Sequence, residues 1–76
     1  MLNRISVDPE IQHGKPCIAG TRVPVYVILE SLATGMSFGE IQEEYSPVTT
    51  DDIRAAVYYA SLVTNQEEAL LEAAGK

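Results

Sequence analysis

This chain of 76 residues has one cysteine, Cys17, one histidine, His13, and only five Lys and Arg against eleven Asp and Glu. A single thiol excludes an internal disulfide framework and fits a reducing compartment. Structural zinc sites need about four Cys or His ligands. The four-residue spacing of His13 and Cys17 therefore reads as a loop histidine and a small packed thiol. Nucleophilic catalysis by Cys17 would need an orienting base and positive surroundings. His13 is the sole candidate base, and Pro16 and Ile18 hem the thiol in. No run approaches the roughly 18 apolar residues of a membrane span, and no signal-peptide pattern opens the chain. The expectation is a cytoplasmic protein of a single domain.

The scarcity of basic residues is sharpest in the second half. Residues 1–35 balance Arg4, Lys15 and Arg22 against Asp8, Glu10 and Glu30. Residues 36–76 set Arg54 and Lys76 against eight carboxylates and so hold the whole net charge of −6. Nucleic-acid binders neutralise phosphates with Lys and Arg, and this half repels phosphate.

Helix-start signals, in contrast, are plentiful. Met36-Ser37-Phe38-Gly39-Glu40-Ile41 and Val48-Thr49-Thr50-Asp51-Asp52-Ile53 share one grammar. A hydroxyl residue is followed three places on by an acid, and apolar residues enclose the pair. That is a capping box inside a hydrophobic staple. The hydroxyl accepts a first-turn N–H, the acid reaches back to the cap's own N–H, and the flanking apolar residues meet. Two such starts twelve residues apart predict short helices joined by tight turns, as in helix-turn-helix modules.

Before them, Pro24 suits the first position of a helix, and Val25, Ile28, Leu29 and Leu32 form its apolar stripe. Gly35 ends it in the left-handed region. The second helix spans about Phe38 to Tyr45, with Phe38, Ile41 and Tyr45 inward, and Ser46-Pro47 stops it. The third is expected from after Thr49 to about Thr64, with Ile53, Ala56, Val57, Ala60 and Val63 on the core face. Tyr58, Tyr59 and Leu62 fall outside that face, which predicts a second buried side and hence a homodimer through those three residues. Gln66 to Ala74 reads as a last helical segment or tail anchored by Leu70 and Leu71. Residues 1–23 form an arm: Arg4 to Val7 alternates as a short strand, and Ala19-Gly20 turns between Pro16-Cys17-Ile18 and Thr21-Arg22-Val23. The strand partners are left open. The expected organisation is 1–23 as β and loop, 24–64 as a three-helix module, and 65–76 as the C-terminal segment.

Gly14-Lys15-Pro16 lacks the first glycine and the hydroxyl of a phosphate loop. Lys15, Thr21 and Arg22 can form a small polar site for an anion or carboxylate of a partner, since Arg offers bidentate geometry. Salt bridges to Asp8 or Glu10 are the alternative use. Glu40, Glu43, Glu44, Asp51 and Asp52 read as caps and a solvated acidic face, with no pair in an apolar pocket that would shift a pKa. Neither catalytic, metal-binding nor cofactor-binding residues are assigned.

The run Asp8-Pro9-Glu10, then His13-Gly14-Lys15-Pro16-Cys17-Ile18-Ala19-Gly20-Thr21-Arg22-Val23-Pro24-Val25, together with Leu32-Ala33-Thr34-Gly35-Met36-Ser37 and Thr49-Thr50-Asp51-Asp52-Ile53-Arg54-Ala55-Ala56, resembles a small prokaryotic family. That family is catalogued as domain of unknown function 433, and the resemblance covers residues 3–65. It tends to carry an aliphatic residue where this chain has Cys17, in keeping with a packing role. The resemblance implies a mainly α, three-helix, homeodomain-like fold with a short N-terminal β element. It further implies an antitoxin-like protein, without enzymatic activity, that pairs with a PIN-type nuclease toxin. The alternative is a helix-turn-helix DNA-binding regulator. Against it stand Glu40, Gln42, Glu43 and Glu44, placed where Arg or Lys would be expected.

Overall fold

The N-terminal arm closes on itself within one chain. In the computed structural model, which describes residues 1–75 and side chains through Asn65, Leu2–Arg4 makes one 3-10 turn. It leads into strand β1 (Ile5–Ser6). β1 pairs antiparallel with β2 (Cys17–Ile18), in the register Ile5 to Ile18 and Ser6 to Cys17. The Ala19 N–H extends the ladder to the Arg4 carbonyl at 2.7 Å. Gly20, at φ +79°, makes the reversal after β2. The turn is then fixed by Thr21, whose hydroxyl donates to the Ile18 carbonyl at 2.8 Å and accepts the Val23 N–H at 3.0 Å. The loop between the strands holds a second 3-10 turn, Gln12–Gly14, in which Gln12 and His13 also lie in the left-handed region.

Three helices follow: α1 (Val25–Ala33), α2 (Phe38–Glu44) and α3 (Thr50–Gly75). Pro24 stands one position earlier than expected, as the extended N-cap of α1, and the Val25 N–H bonds back to the Pro16 carbonyl at 2.8 Å. α1 ends in a full Schellman motif. Gly35 at φ +95° donates to Leu32, and Met36 donates to Ser31, so two orphan carbonyls are satisfied. Both capping boxes are formed. The Ser37 hydroxyl accepts the Glu40 N–H at 3.1 Å while Glu40 accepts the Ser37 N–H at 2.8 Å. Thr49 and Asp52 make the same exchange at 3.1 and 2.9 Å.

The core collects Ile18, Val25, Ile28, Ile41, Val48, Ile53 and Ala56, with Ile5, Val23, Leu29, Leu32, Met36, Phe38, Tyr45 and Tyr59 packed around them. Both staple pairs, Met36 with Ile41 and Val48 with Ile53, belong to this cluster. α3 touches the arm, α1 and α2 alike and is the element on which the others pack.

Two expectations about α3 are corrected. It does not stop near Thr64; it runs unbroken for 26 residues, about 39 Å at the α-helical rise. No helix stop stands there, because Asn65-Gln66 weakens the apolar pattern without a Gly or Pro to end it. Leu70 and Leu71 as anchors lie outside the residues with described side chains. The core face is also rotated. Asp52, Ile53, Ala55 and Ala56 are buried, and Tyr59 with Ala60 half-buried, whereas Val57 is 44% exposed. At about 100° per residue, Val57 turns off one edge of that face. Tyr59, expected outside it, falls squarely on it.

One charged contact fastens the arm to α3. Arg4 donates from Nη1 to Asp52 Oδ1 at 3.1 Å and lies 3.6 Å from Asp51 Oδ2 through Nη2. The other Asp52 oxygen is the one that caps α3. Burial alone raises the Asp52 carboxyl, but the Thr49 backbone, Arg4 and the Thr49 hydroxyl outweigh it and hold the group below the ordinary Asp range.

Ser37→Ala is expected to destabilise the fold by about 1 kcal/mol, the usual cost of a lost cap side chain, measured by urea or thermal melts. Asp52→Asn should cost about 2 kcal/mol near neutral pH, because Arg4 loses its anionic partner and a neutral amide accepts the Thr49 N–H more weakly. The Asp52 contribution exists only while the group is ionised. The gap between wild type and Asp52→Asn should therefore be full above about pH 5 and close as pH falls through the lowered folded pKa. A double-mutant cycle with Arg4→Ala isolates the ion pair from the cap.

Candidate protein-binding face

Past the core, α3 keeps apolar side chains that its own body only partly meets. On one side a groove of about 420 Å³ lies between α1 and α3. Val25, Tyr26 and Leu29 supply one wall, Tyr59, Ala60, Val63 and Thr64 the other, and Lys15 and Pro16 close one end. The arm sets that end through the Val25 to Pro16 hydrogen bond. The Lys15 ammonium sits 4.8 Å from the centre of the Tyr26 ring, a cation–π contact that holds a positive charge at an otherwise apolar rim.

On the outer side, Tyr58 and Leu62 are 44% and 41% exposed. Four residues apart, they stand one above the other on the helix and form a separate apolar stripe with Arg54 one turn before. The three residues expected at a dimer interface are thus divided: Tyr58 and Leu62 face out, and Tyr59 lines the groove and leans on the core. On α2 and the first turn of α3, Glu40, Glu43, Glu44 and Asp51 are exposed. The Ser37 backbone and then its side chain hold the Glu40 carboxyl below its usual range, as a capping acid should be.

Lys15, Thr21 and Arg22, expected as a small polar site, each make contacts of their own. Thr21 spends its hydroxyl on the turn. Lys15 belongs to the groove, and Arg22 is exposed, its carbonyl accepting Gln12 Nε2 at 3.1 Å. The alternative, salt bridges to Asp8 or Glu10, is not observed either: among the described residues the ion pairs are those of Arg4 with Asp51 and Asp52. Asp8 instead accepts the Glu10 N–H at 2.9 Å in a local turn. Sequence reasoning missed Arg4 and Tyr26. Tyr26 falls off the i, i+3, i+4 stripe of its helix, and that break in the pattern was the available signal.

Among the described residues no group of three or more His, Cys, Asp or Glu could hold a metal ion, and no helix is long and apolar enough to cross a membrane. These features define a class: a small three-helix, helix-turn-helix-type domain with a β arm and uncovered apolar surface on its last helix. The family profile described as "Protein of unknown function (DUF433)" matches residues 5–60, and the chain belongs to that family. A crystal structure of a DUF433 member from Anabaena variabilis ATCC 29413 has the same fold, with a TM-score of 0.77 at 26% identity. The match covers 92% of this chain and 69% of that one. The chain is also 38% identical over 56 residues to the uncharacterized protein y4eO of Sinorhizobium fredii (strain NBRC 101917 / NGR234). That match takes in 74% of this chain, and the chain spans about a quarter of the relative's length, 25%.

Cys17 is 2% exposed and its Sγ donates to the Lys15 carbonyl at 3.4 Å. Burial pushes its pKa up, and the nearby Arg22 offsets only part of the rise. A thiol held protonated is a poor nucleophile. Ellman's reagent should therefore leave Cys17 unmodified in the native protein and titrate one thiol per chain in urea. Rapid native labelling would give the residue a chemical role.

Proposed function

We propose that this chain is a protein-binding module, an antitoxin-like subunit that pairs with a PIN-type nuclease and catalyses nothing itself. The observation that supports the reading is the apolar surface left on α3, inside the half of the chain that holds all of the excess negative charge. A nuclease that grips RNA presents a basic surface. An acidic partner is drawn to such a surface and docks faster, while apolar anchors such as Tyr58 and Leu62 supply affinity. Self-association is part of the same reading.

A DNA-binding regulator is the second reading, favoured by the helix-turn-helix layout alone. Such proteins place the N-terminal turn of the last helix against base edges. In this chain that turn holds Asp51 and Asp52, and Arg4 is already engaged there. The DNA backbone would meet carboxylates.

Co-expression with the product of the adjacent reading frame tests the proposal. A complex should survive size-exclusion chromatography, and its association should slow as salt rises. Replacing Tyr58 and Leu62 by Ala should weaken it by about tenfold or more. Random duplex DNA should bind no tighter than about 10⁻⁴ M. Tight operator binding by the isolated protein, with no complex on co-expression, would favour the regulator instead.

A further inference from the structure

We infer that the groove between α1 and α3 is a binding site for a small amphipathic carboxylate, a compact apolar body carrying one anionic group. The inference goes beyond the nuclease reading and does not depend on it.

The sequence leaves the space. Ala55 and Ala56 are fully buried where α3 meets its neighbours closely. One turn on, Tyr59 packs against the core, but Ala60 is again small and Val63 is 38% exposed. Across from them Val25 is buried and Tyr26 stands 47% exposed. An alanine at 60 fills little of the gap between the helices, and a groove of about 420 Å³ remains. Thr64 adds no donor to it, because its hydroxyl donates to the Ala60 carbonyl at 2.7 Å within the helix.

The charge at the rim selects the occupant. The chain carries eleven Asp and Glu against five Lys and Arg. Yet among the described residues no carboxylate lines the groove, and the one charged group that does is the Lys15 ammonium. Its place 4.8 Å from the centre of the Tyr26 ring steadies it at an apolar edge. The ion pairs among the described residues belong to Arg4, so the Tyr26 ring is the electrostatic partner that Lys15 has there. An ammonium has three donors, and a ring face occupies one side of it. A carboxylate on an apolar body lying in the groove meets the other side in a charge-assisted hydrogen bond. A neutral or cationic occupant of the same shape finds no such partner.

Length separates a small molecule from a partner's helix. The α1 wall from Val25 to Leu29 runs about 6 Å and the α3 wall from Tyr59 to Thr64 about 7.5 Å, at 1.5 Å per residue. A helix docked in a groove anchors itself at i, i+3 or i+4, and i+7, a span of about 10 Å. These walls end before the last anchor. The volume agrees, since small-ligand sites run from about 300 to 1,000 Å³ and this groove falls near the lower bound.

Phenylbutyrate, titrated into the isotope-labelled full chain, should shift the amide signals of Tyr26, Leu29, Ala60 and Val63 saturably. Half-saturation is expected at about 1 mM or below, within reach of a ligand of roughly a dozen non-hydrogen atoms. Phenylbutanol and phenylbutylamine, nearly the same in size, should bind at least about threefold more weakly, the scale of an exposed ion pair. Lys15→Met keeps the aliphatic stem and removes the charge, so the acid and the alcohol should then bind alike. In the wild type the preference for the acid should shrink as salt rises. The absence of any saturable shift with phenylbutyrate overturns the inference. So does equal binding of the alcohol by the wild type, or a preference for the acid that survives Lys15→Met. Groove amides that move only on adding the adjacent gene's product, or only with the concentration of the chain itself, also overturn it, because the occupant is then a protein or a second copy.

Discussion

The fold hangs on the two oxygens of Asp52. One accepts the Thr49 N–H and starts α3; the other accepts Arg4 and fastens the N-terminal arm across 48 residues of sequence. Burying a carboxylate is costly unless its charge is paired and its lone pairs are used. Asp52 meets both conditions: no buried polar side-chain atom among the described residues lacks a partner. The arm is also held by Ile18 in the core, with Ile5 and Val23 packed around it. Its strands are two residues long, and a two-stranded ribbon of that length does not stand alone.

The consequence reaches the groove. With Arg4 held, Ile5 and Ser6 pair with Ile18 and Cys17, Ile18 enters the core, and Pro16 is drawn to Val25. Pro16 and Lys15 then line the groove beside the first turn of α1. A contact at the first turn of α3 thereby shapes a surface beside its fourth. The small residues Ala55 and Ala56, both fully buried, let the neighbouring elements approach α3 closely there, while the larger Tyr59 begins the groove one turn later.

How much of this was legible in the sequence follows the range of each interaction. Both capping boxes, the Gly35 stop and the Gly20 turn rest on residues within about five positions of each other, and each lies where the pattern put it. The phase of α3 was harder. Val57 and Tyr59 are both apolar and two residues apart, so hydrophobicity alone admits either rotation. The choice is made by α1 and the arm, which reach the Ala55, Ala56 and Tyr59 side. The pairing of β1 with β2 and the Arg4–Asp52 contact are products of chain reversal and leave no local trace. The uses of the candidate polar residues were hidden for the same reason: the turn takes the Thr21 hydroxyl, and Lys15 sits over Tyr26.

Helix-turn-helix domains usually keep the N-terminal turn of their last helix free to read a surface outside the protein. This chain spends that turn on itself, with Asp52 turned to Arg4 and Thr49, and with Asp51 beside the same guanidinium. What it leaves available is the stretch of α3 from Val57 to Asn65. There Val57, Tyr58, Leu62 and Val63 stand exposed among the polar Arg54, Ser61 and Thr64. The layout that in other proteins points a helix end at DNA here has its structural contacts at the start of α3 and exposed apolar side chains further along it. Fold alone assigns neither use; two aspartates and one arginine keep that turn engaged within the chain.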